Sequence, residues 1–256
     1  MRSRIIDSDR SEGHARLFGV HLNGGTIVGR SLTPDEARND YIRQMGEPLG
    51  KTFYALWQDL AYLYMKWSEY VELYGKKPSR IGLLNQSAPL FFRIVQDSLW
   101  EDTLLHIARL ADPEKSRGKS NLSIQALPSL IDDPNTKKSV AEKVAVAIDK
   151  TEFCREWRNR HIAHRDLCLA LKEGAKPLPP ASRAKVKEAL GAISDVLNTV
   201  SHHLMNSTTA FDIQSGSDGA LSLLYVIDDG LKVEVERRNR IQRHEYRPED
   251  LAARDL

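Results

Sequence analysis

The stretch Glu152 to Asp166, EFCREWRNRHIAHRD, sets Arg158 and Asn159 six and five residues ahead of His164. Arginine supplies a charge that is fixed at physiological pH, and histidine a group that exchanges protons near neutrality. Asparagine beside the arginine adds an orienting hydrogen-bonder. Together these are the parts needed to cleave a phosphodiester through its own 2′-hydroxyl, with no metal. His161 and Asp166 stand near enough in sequence to tune His164, and Arg155, Arg160 and Arg165 make the stretch basic.

The bare spacing carries little, since arginine followed by histidine recurs at Arg16/His21, Arg155/His161, Arg237/His244 and Arg238/His244. What separates Arg158/His164 is the adjoining asparagine and a helical setting rich in apolar residues. On an ideal helix Phe153, Trp157, His164, Cys168 and Leu171 share one stripe, while Val144, Ile148 and Ile162 share another. A helix apolar on two sides is buried on both, central to the bundle or to a dimer interface, so His164 is expected to point into an interface. The plain alternative is a core histidine satisfied by one hydrogen bond. Arg158 and His164 lie about 120° apart on an undistorted helix. A long arginine reaching round, a bent helix, or two copies meeting across a twofold axis would each reunite them.

Other chemistries fit less well. His164-Arg165-Asp166-Leu167 echoes a kinase catalytic loop, but Leu171 stands where an asparagine is needed. His161 and His164 are spaced to share a metal, yet no zincin glutamate or cysteine cluster accompanies them. No phosphate-binding loop or dinucleotide fingerprint exists. The reading is therefore of a site with no metal and no cofactor.

The positioning elements read as helices. Thr33 suits an N-cap, Pro34 the first helical position, and Asp35 and Glu36 the first turn. Phe53, Trp57, Leu60, Tyr64, Trp67, Val71 and Tyr74 alternate spacings of four and three, one apolar seam on a helix ending near Gly75. The seam is read as packing. A third helix is expected from Ile81 to Ala111, stopped by Pro113, followed by a short helix or turn from Asn121 to Leu130. A fourth runs from Asn135 or Ser139 through the motif to Leu171. Gly174 and Pro177 to Pro180 make a loop before Ser182 opens another helix. Residues 220–236 fit either a hairpin turning at Asp228-Asp229-Gly230 or a helix, and the helical chain before them favours helix. The fold class is all-α, a bundle of five or six helices. Residues 1–32 form an N-terminal extension, 33–210 the bundle, and 211–256 a terminal helix or hairpin with a basic tail.

The totals are those of an ordinary globular chain: 256 residues, 41% hydrophobic, 28% charged, formal net charge +2. That charge does not argue for nucleic acid, but its distribution is uneven. Arg237, Arg238, Arg240, Arg243 and Arg247 crowd one end, and Arg155, Arg158, Arg160 and Arg165 the motif. Of these, Arg155, Arg160, Arg165, Arg237 and Arg240 are candidate contacts to RNA, although such clusters often mark only a solvated helix face. Two cysteines, Cys154 and Cys168, cannot build a disulfide framework. On one continuous helix they would stand about 21 Å apart. Without a membrane-length apolar run or a signal peptide, the expected compartment is the cytoplasm.

Arg158-Asn159, four residues and His164 resemble the R-N-x-x-x-x-H motif of the HEPN superfamily. Further segments are similar to the branch typified by the abortive-infection protein AbiU. These are Trp67 to Tyr70, Leu84 to Ala88, Phe91 to Gln96, Leu110 to Pro113, Asn121 to Ser123 and Arg158 to Asp166. The resemblance spans roughly residues 33–210. It implies an antiparallel helical bundle that forms a homodimer with both motifs lining one cleft. By position, His164 becomes the general acid/base, Arg158 the electrostatic stabiliser and Asn159 an orienting group. Metal-independent RNA cleavage leaving a 2′,3′-cyclic phosphate is implied, in phage defence or a toxin–antitoxin-type system with a possible antitoxin partner. The family also contains members that bind RNA or protein without cutting.

Overall fold

Local capping and prolines decide where the helices begin. In a computed structural model of the chain, residues 33–212 and 218–252 are described. The extension expected over residues 1–32 lies outside them. Helix α1, Pro34–Met45, opens with a full capping box: Thr33 accepts from the Glu36 N–H at 3.3 Å, and Glu36 accepts from the Thr33 N–H at 2.8 Å. Gly46, at φ 81°, turns the chain into α2, Glu47–Tyr74. Gly50 lets the two helices touch, because a β-carbon there would lie 2.6 Å from the Ile42 Cα.

All seven seam residues of α2 are buried or half-buried. Leu56, Leu63, Tyr70 and Leu73 are buried as well, so α2 packs on more than the expected stripe. The third expected helix is two: α3, Pro78–Ser87, and α4, Pro89–Leu110. Pro89 bars its predecessor from the helical region, and Ala88 sits at φ −152°, ψ 73°. A two-residue hairpin follows, β1 (Lys115–Ser116) antiparallel to β2 (Lys119–Ser120), in register Lys115 opposite Ser120. Its turn residues Arg117 and Gly118 both have positive φ, 49° and 77°, as a hairpin turn of the right twist needs. A 3₁₀ segment, Ile124–Leu130, leads to α5, Pro134–Trp157, capped by Asp133.

After the motif come α6 (Leu167–Leu171), α7 (Arg183–Met205), α8 (Ala220–Gln242) and α9 (Pro248–Leu251). Residues 220–236 are helical, not a hairpin. The chain is mostly helical, and the described residues hold nine α-helices where five or six were expected. Pro89 accounts for one addition, the end of α5 at Trp157 for another and the short α9 for a third.

Two compact units emerge among the described residues. One comprises 33–64 with 101–212, and the other 65–100 with 218–252. In the first, α5 packs along α7, with α1 and the 3₁₀ segment against the pair. Val140, Val144, Ala147, Leu190, Ile193 and Leu197 are all within 7% of complete burial. Phe211 stacks on Tyr64 at 5.7 Å, and the Tyr64 hydroxyl lies 2.8 Å from Ser194 Oγ. In the second, α3 packs on α8 around Leu73, Leu84, Phe92, Ala220 and Leu224.

Candidate active site at the end of helix α5

The motif does not continue the helix that carries it. After Trp157 the backbone widens into a π turn over Arg158–Ile162, closed by the Ala163 N–H donating to the Arg158 carbonyl at 2.8 Å. Asp166 then opens a new helix. Its carboxylate accepts from the Leu169 N–H at 3.0 Å. That backbone bond, with the side chain of Arg160, holds the Asp166 carboxyl below the ordinary carboxylate range. The continuous helix expected through Leu171 is thus replaced by a π turn, four irregular residues and α6.

This corrects the expectation that His164 is buried within the bundle. It lies beyond the last turn, is exposed, and has no hydrogen-bond or ion-pair partner among the described residues. The 120° separation from Arg158 on a helical wheel no longer applies. Among the described residues His164 neither points into a packed interface nor serves as a satisfied core histidine. For the same reason Cys154 and Cys168 are not on one helix. Cys154 is buried in α5, where burial pushes its thiol pKa well above normal, and Cys168 is exposed in α6.

Arg158, in contrast, is held. Its Nη1 donates to both oxygens of Asp112, at 2.5 and 2.6 Å, and its Nε donates to Asn159 Oδ1 at 3.0 Å. Both charged side chains are about one-fifth exposed, 21% and 20%. A guanidinium can only donate, so the amide atom of Asn159 that faces it is the oxygen. Asn159 therefore orients Arg158 itself. Three residues back on the same helix face, Arg155 donates to the Ala111 carbonyl at 3.1 Å.

The residues expected to tune His164 have other partners. His161 Nε2 lies 3.6 Å from Glu101 Oε1, with its ring edge-on to Trp157 at 5.4 Å. Trp157 is anchored in turn by donating to the Pro179 carbonyl at 2.9 Å. Asp166 meets Arg160 at 3.4 Å, and Arg160 also donates to the Lys176 carbonyl at 2.6 Å. Most candidate RNA contacts are likewise engaged within the chain. Arg155 pairs with Glu152 at 3.3 Å. Arg240 and Arg237 tie α8 to α9: Arg240 grips the Asp250 carboxylate at 2.5 and 2.9 Å, and Arg237 donates to the Asp250 carbonyl at 2.6 Å. Arg165 is exposed and has no ion pair with a described residue.

Asp112 and Glu101 are the site residues that sequence reasoning missed. Asp112 stood within a segment valued for resemblance, and its one independent signal is a carboxylate placed directly before a helix-stopping proline. Glu101 carried no signal, being one of three acids on α4. A further histidine, His106, is 3% exposed on α4 with Nε2 3.0 Å from Asp59 Oδ2, off the line a good hydrogen bond requires. Among the described residues no three histidine, cysteine, aspartate or glutamate side chains gather as metal ligands. None of the described helices is long and apolar enough to cross a membrane.

Comparison with curated proteins and with solved structures found no match. The family model described as AbiU2 matches residues 46–221, more than half of the chain and including the whole motif. The chain belongs to the AbiU2 branch of the HEPN superfamily.

Proposed function

We propose that this protein is a metal-independent endoribonuclease of phage defence or a toxin–antitoxin-type system. It acts as a homodimer of antiparallel bundles with both motifs facing one cleft. The observation that carries the reading is the contrast at the motif: a rigidly held arginine six residues before an exposed histidine that has no partner among the described residues. A structural histidine would have a partner to satisfy, whereas a proton exchanger must keep its ring open to substrate.

In the reaction, His164 takes the proton of the 2′-hydroxyl or gives one to the leaving 5′-oxygen. The 2′-oxygen attacks phosphorus, the bond to the 5′-oxygen breaks, and a 2′,3′-cyclic phosphate and a 5′-hydroxyl result. Arg158 stabilises the charge that builds on the non-bridging oxygens. Asn159 keeps the guanidinium plane fixed, and Arg165 is available to a neighbouring phosphate. His161, paired with Glu101, is placed to assist the proton traffic of a dimeric cleft. One observation favours a second reading, an inert module that binds RNA or a protein such as an antitoxin. Arg158 already has a carboxylate partner, and an ion pair of this kind can simply hold two segments together.

The test is incubation of wild type and His164→Ala with total RNA and tRNA in EDTA, with thermal melts of both. Cleavage by wild type alone, cyclic phosphate on the product and matched melts support the nuclease. RNA retention without cleavage by either protein, at ionic strengths where wild type stays bound, supports the binding module.

A further inference from the structure

The segment after α4 is pinned with unusual thoroughness for a surface turn. Three successive carbonyls each receive a donor from a different side chain. Ala111 accepts from Gln125 Nε2 at 2.8 Å as well as from Arg155, Asp112 accepts from Ser123 Oγ, and Pro113 accepts from Asn121 Nδ2 at 2.8 Å. The Asn121 N–H adds a bond to the Glu114 carbonyl at 2.8 Å, closing the β1–β2 hairpin. Asn121, Ser123 and Asp112 all lie in segments whose role the motif chemistry leaves unexplained. What the cradle fixes in space is the Asp112 carboxylate, and what that carboxylate holds is Arg158.

The donor inventory of Arg158 shows the consequence. Of its five N–H bonds, the one on Nε goes to Asn159, and one on Nη1 is shared between the two oxygens of Asp112. Nη2 has no partner among the described residues. Its two N–H bonds are therefore left to a ligand.

We propose that Asp112 is a positioning residue for catalysis: with Asn159 it locks the Arg158 plane so that Nη2 is presented to the phosphoryl oxygens of bound RNA. This rests on the nuclease reading. Two effects then oppose each other. The Asp112 charge repels the RNA backbone and partly neutralises Arg158, so it does not help ground-state binding. Its value lies in orientation, which counts in the transition state, where a displacement near 1 Å costs on the order of 100-fold.

Asp112→Asn keeps the size of the side chain but removes its charge and one acceptor. Three measurements decide the matter: kcat and KM on an RNA that wild type cuts, affinity for the same RNA carrying 2′-O-methyl groups, and the Arg158 Nε–H resonance by ¹⁵N NMR, assigned with Arg158→Lys. The expected result is a fall in kcat of roughly 10- to 100-fold. Affinity for the methylated RNA stays level or tightens, and the Nε–H signal broadens through exchange with water. A merely structural role would lower the active fraction and the melting temperature together and leave the kcat of the folded enzyme alone. Should Asp112→Asn not fold, Asp112→Glu replaces it, one methylene longer and displacing Arg158 without removing the charge. A folded variant with wild-type kcat overturns the proposal and leaves the nuclease standing. Failure of wild type to cut any RNA removes the nuclease reading and the proposal with it.

Discussion

Arg158 and His164 sit six residues apart yet meet opposite circumstances, and substitution should separate them. His164→Ala deletes an exposed ring without a partner among the described residues, so stability should move by no more than about 0.5 kcal/mol while cleavage is lost. Arg158→Ala strands a half-buried Asp112, and removing a charged hydrogen-bond donor of this kind costs about 1–3 kcal/mol. Paired chemical melts and RNA assays of the two variants would show the split, and equal destabilisation would count against it. Asp166 adds a pH signature. Its folded pKa is depressed, so its contribution is complete above the unfolded value and disappears as pH falls through the folded one. The difference in melting temperature between wild type and Asp166→Ala should therefore be constant at neutral pH and vanish only in acid below the ordinary carboxylate range. A difference that grew toward low pH would contradict the assignment. Asp250, held down by Arg240 and then by the Arg247 N–H, follows the same sign at the junction of α8 and α9.

Elements obeyed the sequence where local chemistry was strong and departed from it where a single residue outvoted a periodic pattern. Thr33-Pro34-Asp35-Glu36 specified the start of α1 to the residue, and Ser182 that of α7, because capping needs only near neighbours. The apolar spacing over 81–111 looked continuous, yet Pro89 divides it through a steric clash that periodicity does not register. The π turn was hidden for a different reason. Its residues are individually compatible with a helix, and only the partners of Arg158, Arg160 and Trp157, 16 to 46 residues away in sequence, favour the wider path. The motif was legible, while Asp112 was legible only as part of a resemblance. Close approach of α1 and α2 yields a test at this scale. Gly50→Ala sets a methyl 2.6 Å from backbone atoms of α1, and relief by a backbone shift should cost about 1–3 kcal/mol in a denaturant titration. A neutral effect would mean that the helices part freely.

At the scale of the whole molecule the open question is how many chains make a site. Each described unit has its own core, and α2 and α4 contribute residues to both. His164 is solvent-facing in a single chain, so if two motifs share a cleft, the ring should lose accessibility on association. Sedimentation equilibrium should find a dimer, and mixing inactive Arg158→Ala with inactive His164→Ala protomers should restore part of the cleavage if each cleft draws on both chains. No recovery after confirmed subunit exchange would assign the whole chemistry to one chain. The two cysteines offer a direct way to look. Cys154 is sealed in α5 with its thiol held protonated, whereas Cys168 is exposed four residues past His164. A thiol-reactive nitroxide would therefore mark the natural sequence once per chain, beside the motif, with no engineered cysteine. Paired spins would convert the twofold arrangement into one measurable separation, and its narrowing or spread on adding RNA would report whether the cleft closes on its substrate.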